Sequence, residues 1–345
     1  MTQRHLGILV IASLGVLALA AWVAHRNQPG ASAAGRAVLP GLESALNSVT
    51  EVRLSGAGGV RTTLDKGTTH WIVRERGYPA DSGKLRKLLI DLGNLKIVER
   101  KTRLAQNYPV LGVQNVSAPK APGVRIDLVT PARTWSLIVG HSSDGNDCYV
   151  RVVGHRQSLL ASPLVRGDAQ PAQWLDPIIV DLHRGQVSGI DEQPARGPRF
   201  SLSRTKATDA HFTVQGIPRG RRLQSAGAAD DLASALSNLT LSDVRKATAG
   251  PKGARPSRAV FKTFGGLEIE IEGYHSGKGS PHDIVVVAHG SGTQAGAEAA
   301  RINARVHGWE YRIAGYRYRE IFRPLSALLA PLPTRHGAKP HRKAA

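Results

Sequence analysis

Three arginines fall close together in one predicted loop in the second half of the chain. Arg219, Arg221 and Arg222 follow the predicted strand Phe212–Val214 and precede a segment rich in glycine, alanine and serine. Guanidinium groups bind phosphates and carboxylates well, and loops held on a rigid scaffold are common binding elements. We therefore expect a candidate interaction site here, with a merely solvated loop as the alternative.

Two short runs hold the residue types of a hydrolytic site. The run His141–Gly145 reads HSSDG, and His282 precedes Asp283. Both lie where turns between strands are expected, and no serine in them stands in a G-x-S-x-G elbow. The sequence therefore predicts no catalytic residue at either place.

Patterns for cofactors and metals are incomplete. The run Gly273–Gly279 is one residue short of a Walker A motif and lacks its Ser or Thr, and Gly56–Gly59 opens no predicted helix. No HExxH motif occurs, and Cys148 is the single cysteine. The sequence thus predicts no cofactor and no metal, and it predicts inert packing for Cys148 at the start of a strand.

Three glutamates alternate with apolar residues in one predicted strand. The alternating run is Leu267, Glu268, Ile269, Glu270, Ile271 and Glu272. Because side chains alternate across a strand, the three carboxylates share one face. A solvated face is expected, with a docking strip for a basic partner as the alternative.

Positive charge is spread along the whole chain. Lys and Arg number 46 against 26 Asp and Glu, which gives a formal net charge of +20, while aromatic residues make up 5%. Such an excess attracts anionic lipids, acidic glycans and phosphates. Nucleic-acid binding needs a basic stripe with interleaved aromatics, so nucleic acid is an expected partner only if the body lies in the cytoplasm.

An uncharged apolar segment, Leu6–Ala24, stands near the start of the chain. As a helix it would be about 28 Å long, close to the hydrocarbon thickness of a bilayer. It is longer than the apolar core of a cleaved signal peptide. We therefore expect a signal anchor in a bacterial inner membrane with the body outside the cytoplasm, although the flanking charges are nearly balanced and favour neither orientation.

Apolar residues of the body recur with the periods of strands and helices. Antiparallel strands are predicted at Val52–Leu54, Thr63–Leu64 and Trp71–Val73. A helix follows, on the spacing of Leu85, Leu88, Leu89 and Leu92. Further strands are predicted at Val124–Val129, Trp135–Val139, Tyr149–Val153 and Ser158–Ala161.

The same order recurs roughly 140 residues later. Strands at Phe200–Leu202, Phe212–Val214 and Leu267–Gly273 match strands of the first half. The spacing of the first helix is repeated by Leu232, Ala235, Leu236 and Leu239. The predicted fold class is α+β, with one N-terminal transmembrane helix followed by two tandem repeats of antiparallel strands with one main helix each.

This interpretation divides the chain into six segments. They are a cytoplasmic tail (1–5), a transmembrane anchor (6–24), a linker and juxtamembrane helix (25–47), a first repeat (48–183), a second repeat (184–330) and a disordered basic tail (331–345). The juxtamembrane helix is predicted from Leu39, Leu42 and Leu46, which lie on one helical face.

Several strings of the first half carry a family resemblance. They are Leu39–Leu42 (LPGL), Trp71–Asp81 (WIVRERGYPAD), Leu88-Leu89, Leu95–Glu99 (LKIVE), Tyr108–Val113 (YPVLGV) and Trp174–Asp176 (WLD). Together they resemble an uncharacterised, DUF-type family of singly anchored extracytoplasmic bacterial proteins, over roughly Val38 to Asp181. That family is similar to part of the gliding-motility auxiliary protein of an ABC transporter. The resemblance implies an exported body beside a transporter or envelope system, and it brings no catalytic residues.

These patterns predict binding and not catalysis. We expect a membrane-anchored extracytoplasmic interaction or scaffold protein, accessory to an ABC-type permease complex or bound to an anionic envelope polymer. The alternative is a small-ligand or hydrolytic site in the groove between the two repeats. The candidate contact residues are Arg219, Arg221 and Arg222.

Overall fold

The computed structural model describes residues 34–143, 145–248, 255–274 and 282–332. The predicted transmembrane anchor, Leu6–Ala24, lies outside the described residues, together with the predicted cytoplasmic tail and nearly all of the predicted C-terminal tail. Among the helices that the structure describes, none has the length and apolar character needed to cross a membrane.

The chain divides into two compact units, which we call unit 1 and unit 2. Unit 1 ends at Trp174 and unit 2 begins at Leu175. Each unit is built on one large antiparallel sheet, and unit 2 holds a further sheet of two strands.

Unit 1 contains nine strands and three helices among the residues described. The strands are β1 Glu51–Ser55, β2 Arg61–Lys66, β3 Trp71–Val73, β4 Tyr78–Pro79, β5 Lys96–Arg100, β6 Val124–Val129, β7 Thr134–Ser142, β8 Cys148–Val152 and β9 Ser158–Ser162. The helices are α1 Leu42–Ala45, α2 Ser82–Gly93 and α3 Tyr108–Leu111. The sheet order is β4-β3-β2-β1-β6-β7-β8-β9-β5.

The alternating apolar residues of unit 1 form the strands that their spacing predicts. Val52 and Leu54 are fully buried on one face of β1. The four strands predicted between Val124 and Ala161 are confirmed as β6 to β9. β1 alternates because one of its faces is buried and Arg53 on the other is exposed. In β7 the consecutive residues Leu137, Ile138 and Val139 are all buried, so both faces of the sheet are covered there.

Helix α2 is confirmed as well. It begins after Asp81, whose carboxylate accepts a hydrogen bond from the backbone N–H of Lys84 at 2.9 Å. This satisfies one of the free amides of the first turn. Leu85, Leu88 and Leu92 are buried, so the helix contributes one apolar face to the core of unit 1.

The predicted juxtamembrane helix is short. Leu42 begins the single turn of α1, and a 3-10 turn, Leu46–Ser48, continues it. Leu39 and Leu42 are buried, as expected for a segment that docks on the body.

Unit 2 contains ten strands and two helices among the residues described. The strands are β10 Ile178–Val180, β11 Val187–Gln193, β12 Phe200–Ser203, β13 Thr213–Gln215, β14 Leu239–Thr240, β15 Asp243–Lys246, β16 Ser257–Thr263, β17 Leu267–Tyr274, β18 Asp283–Gly290 and β19 Trp309–Arg312. The helices are α4 Thr293–Val306 and α5 Gly315–Ile321. The large sheet runs β13-β12-β11-β16-β17-β18-β19-β15, and β10 pairs with β14.

The two large sheets share one topology. From the second strand of its order, the unit 1 sheet reads β3-β2-β1-β6-β7-β8-β9-β5. Adding ten to each strand number gives the order of the unit 2 sheet. Each unit therefore places its strands in the same positions, with pairing that is antiparallel throughout.

The predicted fold class of the body, α+β with one main helix in each repeat, is wrong. The described chain is mostly antiparallel β-sheet, in three sheets, with few helices. The segment Leu232–Leu239, expected to be the main helix of the second repeat, holds most of a 3-10 turn, Asp230–Ser234, and the first residue of β14.

Hydrogen bonds to a distant segment explain why Leu232–Leu239 does not continue as an α-helix. The carbonyl of Leu236 accepts the N–H of Leu182 at 3.0 Å, and the Ser237 hydroxyl donates to the carbonyl of Leu182 at 3.0 Å. The N–H of Asn238 donates to Asp181 Oδ1 at 2.7 Å, and Asn238 has a φ of 48°. Backbone groups that a helix would use are thus bonded to residues 181–182.

The long helix of unit 2, α4, lies between β18 and β19 and was not predicted. Its buried residues include Ala295, Ala299 and Val306. The side chain of Asn303 accepts from the N–H of Ala288 at 2.9 Å and donates to the carbonyl of Ala288 at 2.7 Å. Because β19 pairs with β18 only at Asp283 and Ile284, this amide satisfies backbone groups of β18 that β19 does not reach.

Candidate interaction site

The three predicted contact arginines lie in the loop that follows β13. Arg219 and Arg222 are exposed, whereas Arg221 is half-buried. Gly220 stands between them with a φ of 77°, in the left-handed region that glycine adopts without strain. The N–H of Arg221 donates to the carbonyl of Pro218 at 3.0 Å and closes this turn.

Hydrogen bonds fasten this loop to the segment after α5. Leu223 forms a β-bridge with Leu329, and the N–H of Ala330 donates to the carbonyl of Arg222 at 2.9 Å. The N–H of Gln224 donates to the carbonyl of Leu328 at 3.0 Å. We call residues 219–224 the basic loop, and its backbone is held like a short strand pair.

The arginines of the basic loop divide into two roles. The guanidinium of Arg221 donates from Nη2 to the carbonyl of Ala330 at 2.8 Å, so this side chain helps to hold the loop. Arg219 and Arg222 form no ion pair or side-chain hydrogen bond with any residue that the structure describes. Two exposed guanidinium groups therefore stand on a fixed backbone, free to meet an anionic group.

The three glutamates of β17 do share one face, as predicted, but they do not form a free acidic strip. Glu270 accepts a hydrogen bond from Arg258 of the neighbouring strand β16. Lys262, also on β16, pairs with Asp191 of β11 at 2.6 Å. These contacts raise the pKa of Arg258, chiefly through the bond to Glu270, and of Lys262, chiefly through the bond to Asp191. Glu272 lies near Arg258 and Glu268 near Lys262, but of the three glutamates only Glu270 forms an ion pair with a described residue.

A second group of charged side chains forms ion pairs at the other edge of the unit 2 sheet, on β15, β18 and β19. Arg245 lies between two buried carboxylates, at 2.8 Å from Glu310 and 2.9 Å from Asp283. Arg312 pairs with Asp283 at 3.1 Å. The bond to Glu310 is the main cause of the raised pKa of Arg245. Both acids are thereby paired with arginines of β15 and β19.

The two predicted His/Ser/Asp runs do not form a triad in the described structure. His141 is exposed at the end of β7, where its Nδ1 lies 3.3 Å from the carbonyl of Val110, and Asp144 lies outside the described residues. His282 packs against the ring of Tyr318 at a centroid distance of 5.1 Å. Each histidine thus contacts a residue outside its own run.

A histidine and aspartate pair that sequence reasoning missed lies in unit 2. His211 Nδ1 is 2.8 Å from Asp230 Oδ2, and Asp230 also accepts the N–H of Phe212 at 3.1 Å. Arg184 approaches the same carboxylate at 3.4 Å. An aspartate can orient an imidazole for catalysis in this way, but no hydroxyl or thiol of the described residues bonds to the other ring nitrogen. Asp230 acts here as a buried anchor for three donors.

Sequence reasoning also missed Glu192. Its side chain is 2% exposed, and neither carboxylate oxygen has a hydrogen-bond partner among the described residues. It stands on β11 between Phe200 and Ala259 of the neighbouring strands. Burial raises its pKa well above the ordinary value, which favours the protonated form of the carboxyl. The signal was the pair Asp191-Glu192, since two consecutive acids in a strand place one on each face.

The single cysteine is packed inside unit 1 at the start of a strand. Cys148 begins β8 and is fully buried. Burial is the main cause of its raised pKa, which disfavours the reactive thiolate. Among the residues that the structure describes, no three His, Cys, Asp or Glu side chains come together to hold a metal ion.

Comparison with known proteins places the chain in a family. The family model described as a domain of unknown function (DUF4340) matches residues 71–256, from β3 in unit 1 to the residue before β16 in unit 2. No curated protein and no solved structure matches the chain. Since the match spans more than half of the 345 residues, the chain belongs to the DUF4340 family.

Proposed function

We propose that this protein is a membrane-tethered interaction protein that acts outside the cytoplasm, accessory to an ABC-type transport system or another envelope assembly. The observation that carries the proposal is the basic loop, which presents Arg219 and Arg222 to solvent while Arg221 and the backbone are bonded to residues 328–330. A partner with phosphate or carboxylate groups fits this loop.

A fixed loop suits binding for an energetic reason. Association immobilises side chains and loops, at a cost of roughly 0.5–1.5 kcal/mol for each long side chain. Here the backbone of the basic loop is already ordered by its bridge to Leu329. Binding therefore needs to order only the two free arginine side chains.

Two further observations support the location in the envelope. The apolar segment Leu6–Ala24 carries no charge over a length suited to a bilayer. The strings of the first half resemble singly anchored extracytoplasmic proteins that accompany ABC permeases. An anionic envelope polymer and an acidic surface of a permease complex are the partner classes that the positive loop favours.

A crosslinking comparison tests the proposal. The double variant Arg219→Ala/Arg222→Ala removes the two free arginines, and Arg196→Ala/Arg319→Ala removes two other exposed arginines of unit 2 that form no ion pair with the described residues. Both double variants lower the net charge of the protein by the same amount. In intact cells treated with a crosslinker, we expect the adducts of the wild type to persist in the second variant and to disappear in the first.

The same experiment has a clear contrary outcome. Adducts that persist in the Arg219→Ala/Arg222→Ala variant would exclude the basic loop as the contact. Equal loss in both variants would show that only the overall charge of the protein matters. Either result would overturn the proposal for this surface.

A further inference from the structure

A groove in unit 1 is lined by cationic side chains without an acidic partner. It has a volume of about 550 Å³, in the range of small-ligand sites. Its cationic or ionisable members are Arg100, Arg103, Arg133 and His155. Among the described residues that line it, none is an aspartate or glutamate. The nearest acid in sequence, Glu99, is already paired with Lys101 at 2.5 Å.

The side chain of Arg103 is held in place by a neutral residue. Its Nε donates to Gln157 Oε1 at 2.8 Å. The Gln157 amide nitrogen donates to the carbonyls of Lys101 and Ser158, at 3.2 and 2.9 Å, which fixes the direction of its oxygen. The two terminal nitrogens of Arg103 bond to no described residue. They can therefore donate two parallel hydrogen bonds to an oxyanion.

Arg133 is held by an aromatic platform. Its guanidinium lies over the ring of Trp135, 4.4 Å from the centroid. The indole N–H of Trp135 donates to the carbonyl of Pro40 at 3.1 Å, and the indole is 6% exposed, so the platform itself is fixed. A guanidinium stacked on an indole keeps its edge free for hydrogen bonds to an anion.

A buried cation adds to the positive potential behind the groove. Arg151 is 6% exposed and donates to the carbonyls of Val113 and His155 and to Asn115 Oδ1, at 2.8, 3.3 and 2.7 Å. None of these acceptors carries a charge. Arg151 therefore holds a positive charge inside unit 1 without a counter-ion among the described residues.

Apolar residues line much of the remainder of the groove, together with Thr134, Ser136 and Gln157. The apolar members include Ile97, Val152, Leu159, Leu39 and Pro40. A ligand with an anionic group next to an apolar part fits this lining. Phosphate esters satisfy this, and they accept the forked hydrogen bonds that arginines donate.

We infer that this groove is a binding site for the phosphate group of an amphiphilic phosphate ester, held between Arg103 and Arg133. Two sources share this chemistry, an anionic lipid headgroup and a soluble phosphate ester. Val38, which also lines the groove, stands 14 residues after Ala24, a distance that an extended chain spans in at most about 50 Å. A headgroup is therefore within reach if Leu6–Ala24 lies in a bilayer. The inference does not depend on the basic loop.

Calorimetric titration of the full chain in a non-ionic detergent tests this site. The probes are hexyl phosphate, a soluble phosphate ester, and short-chain dihexanoyl-phosphatidylglycerol, at about 50 mM salt so that screening is moderate. Tighter binding of the glycerophospholipid identifies a headgroup site, and tighter binding of hexyl phosphate identifies a soluble ligand. Either preference supports a phosphate site. Failure of both probes to bind would overturn it.

Three variants separate a built site from general charge attraction. Arg103→Ala/Arg133→Ala should weaken binding of the preferred probe by about tenfold or more, because each lost charged hydrogen bond costs more than 1 kcal/mol. The control Arg61→Ala/Arg86→Ala removes two exposed unit 1 arginines outside the groove. It should change binding less than about twofold.

Gln157→Ala keeps every charge and releases Arg103, so about threefold weaker binding is expected with an unchanged fold by circular dichroism. Equal weakening by the Arg103→Ala/Arg133→Ala and Arg61→Ala/Arg86→Ala pairs would overturn the site. Full-strength binding by Arg103→Ala/Arg133→Ala would do so as well.

Discussion

The guanidinium of Arg221 donates a hydrogen bond to the backbone carbonyl of Ala330 at 2.8 Å, across 109 positions of sequence. This bond makes Arg221 part of the scaffold, while its neighbours Arg219 and Arg222 remain exposed. One cluster of arginines therefore serves two purposes, and substitutions within it are expected to separate them.

Arg221→Ala should destabilise the protein, whereas Arg222→Ala should not. The first change removes a charged donor from a half-buried carbonyl, which costs about 1–2 kcal/mol. The second removes an exposed side chain and should stay within about 0.5 kcal/mol of the wild type. Urea unfolding of both variants measures the difference. Equal stabilities would show that the bond to Ala330 contributes nothing.

Glu192→Gln should make stability less dependent on pH. Because the folded protein holds the pKa of Glu192 above its ordinary value, the folded state binds this proton more tightly than the unfolded state. Its contribution is fully present below the ordinary pKa and is lost as pH rises through the folded pKa, with a slope of at most about 1.4 kcal/mol per pH unit.

The variant carries no ionisable group at this position, so its advantage over the wild type should grow as pH rises from acid to neutral. Chemical unfolding at several pH values measures this. Parallel pH profiles for the two proteins would mean that Glu192 titrates as it does in the unfolded chain.

Asn303 is expected to stabilise the strand β18 through its two bonds to Ala288. Asn303→Ala removes an acceptor and a donor and should cost about 2–3 kcal/mol. Asn303→Asp keeps the acceptor for the N–H of Ala288 but places a carboxylate oxygen against the carbonyl of Ala288, so its loss at neutral pH should be at least as large. Hydrogen exchange at the Ala288 amide, read beside urea unfolding, distinguishes the variants. Unchanged exchange in Asn303→Ala would remove Asn303 from this role.

The sequence predicted those parts of the fold whose signals are local. The strands β6 to β9 were predicted from short apolar segments, and α2 from its leucine spacing and its cap at Asp81. The same leucine rule failed at Leu232–Leu239, because those backbone groups bond to residues 181–182, some fifty positions away. Periodicity within a short window contains no information about such partners.

Helix α4 was not predicted because its own apolar pattern is weak. Its buried side chains include Ala295 and Ala299, which are small because the helix lies close to β18 and β17. Small residues give a weak apolar pattern. The side chain that ties the helix to the sheet, Asn303, is polar and would be assigned to the wet face.

The candidate sites also differ in whether a local sequence pattern reveals them. The arginines of the basic loop are neighbours in sequence, so the sequence alone predicted them as a group. The hydrogen bond that distinguishes Arg221 from the other two depends on Ala330, which is distant in sequence. The unit 1 groove draws Arg103, Arg133 and His155 from three separate segments. Only the sheet brings those segments together, so no short motif could have revealed it.

The central claim is that the basic loop faces solvent outside the cytoplasm. Cys148 is the single cysteine and is fully buried, so the variant Arg222→Cys introduces one reactive thiol at the loop. A membrane-impermeant maleimide applied to intact spheroplasts reads its position. We predict that Arg222→Cys is labelled before lysis and that the wild type is not. Labelling of Arg222→Cys that appears only after lysis would contradict the claim.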